Sequence, residues 1–143
     1  MRDKEVDAKL RLIALQLDSW RKLHELITYG LDKAKPIISV EQERLFTQVR
    51  GNLLQETEHV LSELNLLHEL SSRAVNVLNR ASSMRAVRDL PPEEVKRLEA
   101  EWNTVFTKLG VAQGQLKSRR KALAEQTALS YYLSGLLRRP ASN

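Results

Sequence analysis

The sequence predicts an all-α protein, an elongated antiparallel three-helix bundle with long second and third helices. Three observations carry that reading. Val95, Leu98, Trp102, Val105, Leu109, Ala112, Leu116, Arg119, Leu123, Gln126, Ser130, Leu133 and Leu137 follow one another in alternating steps of three and four, a spacing that lines one side of a helix. The chain is 29% charged and only 5% aromatic, with five glycines and four prolines in 143 residues, the usage of a helical bundle. Capping signals also divide the chain into three stretches. The length fits a single helical-bundle domain over 1–143, with helices over about 4–29, 40–88 and 92–138.

The first helix runs from about Lys4 to Tyr29, with Val6, Leu10, Ile13, Leu17, Trp20, His24 and Ile27 along its seam. Gly30 suits the left-handed residue that ends a helix, with Leu31 folding back over it. Pro36 then disfavours helix for Lys35.

Ser39-Val40-Glu41-Gln42 reads as a capping box that opens the second helix. Phe46, Val49, Leu53, Thr57, Val60, Leu64, Leu67, Ser71, Ala74, Leu78 and Ala81 form its seam. The third helix starts at Pro91-Pro92-Glu93-Glu94, with proline in the first turn and acids at the positive end of the dipole. It ends near Arg138, before Pro140.

Helix one covers little more than half of its neighbours. Its N-terminus falls level with about residues 69 and 111, so a two-helix arm is expected beyond, pairing Ala74, Val75, Leu78 and Met84 with Val95, Leu98, Trp102 and Val105. Kinks near Ser71 and Gly110 that fold the arm down are the alternative. The Gly110/Gly114 spacing implies close approach of a crossing element, or else a hinge.

No catalytic motif or cofactor-binding motif emerges. Glu56-x-x-His59 has the spacing of one half of a di-iron site, but no second such pair follows, so a solvated surface pair is the reading. His24 and His68 lie on or beside apolar seams and read as packed or rim residues. The chain contains no cysteine, which rules out disulfides, thiolate nucleophiles and cysteine-ligated zinc. Neither a signal-peptide core nor an apolar run long enough to span a bilayer is present, so a cytoplasmic location is expected.

Surfaces remain as the carriers of function. Helix one has a second set of apolar residues, Leu12, Leu15, Leu23, Leu26 and Tyr29, several outside its main seam; these predict an antiparallel homodimer, the alternative being that the connector or the C-terminal segment folds over them. Residues 128–137, with Tyr131, Tyr132 and Leu136, are apolar nearly all round and are expected either to pack on the body or to dock a partner. The net charge of +5 is concentrated late: Lys117, Arg119, Arg120, Lys121, Arg138 and Arg139 are candidates for an anion or nucleic acid, although a solvated or acid-paired cluster is the leading reading of 117–121.

The expected function is a non-enzymatic protein–protein interaction module that binds a protein partner or itself. The alternatives are a nucleic-acid-binding or nucleoid-associated protein, and a small export chaperone that holds a client on its apolar C-terminal helix. No cofactor or metal is implied. The size and helical layout are shared with spectrin-like repeats and small export chaperones, a likeness of shape that implies no activity.

Overall fold

The computed structural model describes residues 2–138, with side chains over 4–136. Five helices follow one another, and no strand occurs among the described residues: α1 (Arg2–Leu31), α2 (Val40–Glu63), α3 (Leu67–Arg80), α4 (Met84–Arg88) and α5 (Pro92–Arg138). The all-α class and the ends of the third predicted helix stand. The expected continuous helix over 40–88 does not, because it is three helices, and the layout has four long helices rather than three.

The break falls at Leu64–Leu66, not at Ser71. Asn65 takes a left-handed backbone (φ 58). The Asn65 amide donates to Ser62 O at 3.1 Å and the Leu66 amide to Leu61 O at 2.8 Å. These two bonds are the Schellman pattern, with Asn65 as the residue just past the helix and an apolar pair, Leu61 and Leu66, across the turn. The chain reverses there, so α3 returns along α2. Arg50 Nε donates to Leu78 O at 2.7 Å, and Glu43 Oε1 accepts from the Met84 amide at 2.6 Å.

The long helices form an antiparallel ring in which α1 packs on α2, α2 on α3, α3 on α5 and α5 on α1, with α4 against α1. One continuous core fills the ring, built on Trp20, Phe46, Leu53, Leu61, Leu70, Leu98 and Leu109. The arm expected from 74–84 and 95–105 is folded into this core: Ala74, Leu78, Met84, Leu98 and Val105 are all buried.

The predicted caps hold with one exception. Ser39 Oγ accepts from the Gln42 amide at 3.1 Å while Gln42 Oε1 accepts from the Ser39 amide at 2.8 Å, a complete capping box. Gly30, however, is helical rather than left-handed, and α1 runs on to Leu31. Its lack of a side chain serves packing, since a Cβ there would lie 3.0 Å from Met84 O. Arg88 locks the same corner, its guanidinium donating to Gly30 O, Asp32 O, Lys35 O and Pro36 O.

Gly110 and Gly114 lie inside an unbroken α5, and a Cβ at either would meet nothing within 4 Å. Neither the hinge nor the close approach within the chain occurs. No described helix is long and apolar enough to cross a membrane.

Candidate protein-interaction surface

The bundle ends in a step. Lys9, Leu64 and Leu116 line one recess, which places the α2–α3 turn level with these points on α1 and α5. Past the turn α1 continues for about two turns. Arg120 of α5 meets Asp7 of α1 at 3.7 Å, and Leu123 is the last half-buried residue on α5. Residues 124–136 are all exposed, on a helix that continues to Arg138. From Ala124 to Arg138 this projection measures roughly 22 Å at 1.5 Å per residue.

Body packing is therefore overturned for residues 128–136, while the side chain of Leu137 lies outside the described residues. That expectation counted along an unbroken second helix. Folding 40–88 into three pieces shortens the bundle and leaves the end of α5 without neighbours among the described residues. Tyr131 is 83% exposed, and Leu129, Tyr132, Leu133 and Leu136 also stand in solvent.

The angular order of side chains on α5 gives it two faces. Leu109, Leu116 and Leu123 lie toward the other helices. On the opposite side, at 100° per residue, Thr107, Val111, Gly114, Ser118, Lys121, Glu125, Ala128 and Tyr132 keep the three-four spacing, all of them exposed. This outward stripe was legible in the sequence as a second heptad register beside the buried one. Its signal is weak because, Val111 apart, its first half is small or polar.

The self-association face expected on α1 is mostly consumed by the fold. Leu23 is fully buried in the core; Leu26 and Tyr29 pack against it half-buried; Leu12 is also half-buried. Leu15 alone of the five is exposed, at 66%. The physical reason is that α1 has three neighbours, α2, α4 and α5, where a three-helix layout offers two.

The basic cluster is dispersed. Lys117, Arg119, Arg120 and Lys121 are exposed but point to different sides of α5, and Arg120 is held by Asp7. The side chain of Arg138 and the whole of Arg139 lie outside the described residues.

The histidines sit in packing or on the surface. His24 stacks on Trp102 with ring centroids 4.0 Å apart, and its Nε2 lies 2.7 Å from Glu99 Oε2. Trp102 in turn donates its indole N–H to Trp20 O at 2.9 Å and stacks on Phe106. This ladder ties α1 to α5. Glu56, His59 and His68 are exposed, and no group of three or more metal-ligating side chains gathers among the described residues.

One recess of about 180 Å³ and another of about 300 Å³ flank the base of the projection, sharing Ala112 and Gln115. With this geometry in hand, comparison with known proteins finds no matching family, no matching curated relative and no matching solved structure.

Proposed function

We propose that this protein is a non-enzymatic protein–protein interaction module whose binding element is the projecting end of α5. One observation carries the reading: five large apolar side chains, Leu129, Tyr131, Tyr132, Leu133 and Leu136, are exposed within a single helical stretch. A helix that is apolar on several sides stands favourably only when other surfaces cover it, and contiguous exposed apolar patches of this kind mark binding surfaces. The body, by contrast, has its core filled and its histidines packed or solvated, which supports a scaffold that presents a helix.

The test is a photo-crosslinking side chain placed in cells at Tyr132 and, separately, at Glu56 on the exposed side of α2. Discrete adducts from position 132 and none from 56 are expected. Equal labelling at both positions, or none at 132, would overturn the reading.

A second reading, nucleic-acid binding, is favoured by the exposure of Lys117, Arg119 and Lys121. It is weaker because the cluster has no aromatic neighbours to stack bases and no single charged face. Any such binding should be lost between roughly 50 and 200 mM salt; tight binding that survives would promote it.

A further inference from the structure

The outward stripe of α5 is self-complementary, and we propose that the partner it fits is a second copy of this chain, paired antiparallel along α5. The inference rests on the interaction-module reading and names its partner. Across the outward side, the first half carries the small residues Gly110, Gly114 and Ser118 beside Val111, the centre carries one base and one acid (Lys121, Glu125), and the last half carries the large residues Leu129, Tyr132 and Leu136 beside Ala128.

A two-fold axis at the level of Leu123 matches the halves. Gly114 of one copy then lies opposite Tyr132 of the other, Gly110 opposite Leu136, Ser118 opposite Ala128, and Lys121 opposite Glu125, each pair occurring twice. Glycine lets a facing helix approach closely and leaves room for the ring. The space exists, because a Cβ at Gly110 or Gly114 would meet nothing within 4 Å. The charge pairing also chooses the direction. Antiparallel register pairs Lys121 with Glu125, while an in-register parallel pair would set each against its own kind.

The surrounding fold leaves the overlap clear. Glu69, in the first turn of α3, reaches Lys108 of α5, so α3 begins near that level, with Leu66 and Glu69 beside Val111, and among the described residues of α5 from Lys117 on only Leu123 is not exposed. The overlapping span, 110–136, starts at that point. Both bodies sit on the faces turned away from the pairing. Two helices touching over roughly 40 Å, each about 10 Å wide, make an interface at the small end of the specific range, so a micromolar dimer is expected.

The chain has no cysteine, so introduced thiols report the register without background. Purified full-length Ser118→Cys and Ala128→Cys proteins are oxidised separately and as an equal mixture. Residue 118 and its own copy would be roughly 15 Å apart along the axis, too far to bridge, whereas 118 and 128 would be level. A disulfide dimer in the mixture alone is expected. Light scattering at up to about 200 μM should show a dimer. Lys121→Glu should weaken it at least tenfold, and adding Glu125→Lys should restore it. Gly114→Leu should abolish it without unfolding the body, because the site is open.

Disulfides within each separate sample would mean parallel pairing and overturn the proposal, as would a monomer throughout the concentration range. If the purified chain is monomeric while position 132 still yields adducts with another protein, the self-pairing falls and the module reading stands. A monomer with no adducts sinks both.

Discussion

Gln16 lies fully inside the bundle, and its amide oxygen accepts from the Trp20 indole at 3.0 Å and from the Thr57 hydroxyl at 3.3 Å. Gln16→Leu removes that acceptor and strands two buried donors, so urea denaturation should show a loss of about 2 kcal/mol despite the more apolar side chain. Gly30 illustrates the opposite constraint. In an open helix Gly→Ala stabilises, and Gly51→Ala, where nothing lies within 4 Å, should add about 0.5–1 kcal/mol. Gly30→Ala should instead destabilise, because the new methyl meets Met84 O, a backbone atom in a corner held by the four carbonyl contacts of Arg88. A stability gain there would show that α4 moves freely.

At the scale of the element, the α2–α3 turn depends on one residue in a left-handed conformation. Asn65→Gly should be close to neutral. Asn65→Ala should cost about 1 kcal/mol, since the methyl crowds the following carbonyl in that region. Equal stability of the two variants would mean that the turn relaxes. Among the described residues the end of α5 is a helix without tertiary support, and isolated helices of this length are marginal in water. Amide exchange should therefore be far faster over 124–136 than over 98–109, where Leu98, Val105 and Leu109 are buried. Uniform protection along α5 at dilute concentration would argue against an uncovered projection.

For the whole molecule, the 47 residues of α5 set the longest dimension at roughly 70 Å, well beyond a compact chain of this length with a radius of gyration near 14–15 Å. Small-angle scattering on the Gly114→Leu variant, designed to be monomeric, should reach that dimension. A globular profile would mean that the end of α5 folds back. Elongation was expected from the unequal helix lengths, but the body turned out shorter and the overhang lies at the opposite end of α5. The seam of α5 was readable because three-four spacing is a property of neighbouring residues on one helix. The fold-back at Asn65 was harder, since the apolar spacing of α2 carries through Leu64 and Leu67 without a proline or glycine to interrupt it.

Local chemistry in the sequence was enough to determine the all-α class, the capping box at Ser39, the start of α5 at Pro92 and the buried side of α5 as far as Leu123, though not that the seam beyond it stands in solvent. Each depends on side chains within a turn or two of one another, where backbone hydrogen bonding and helical period leave few choices. Tertiary structure decided which apolar residues the body covers. Leu23 and Tyr131 are both large apolar residues beside a seam, yet one is fully buried and the other stands 83% in solvent. The difference arises from where the neighbouring helices end. That depends on one left-handed asparagine and the packing it permits, and no local pattern around Leu23 or Tyr131 encodes it.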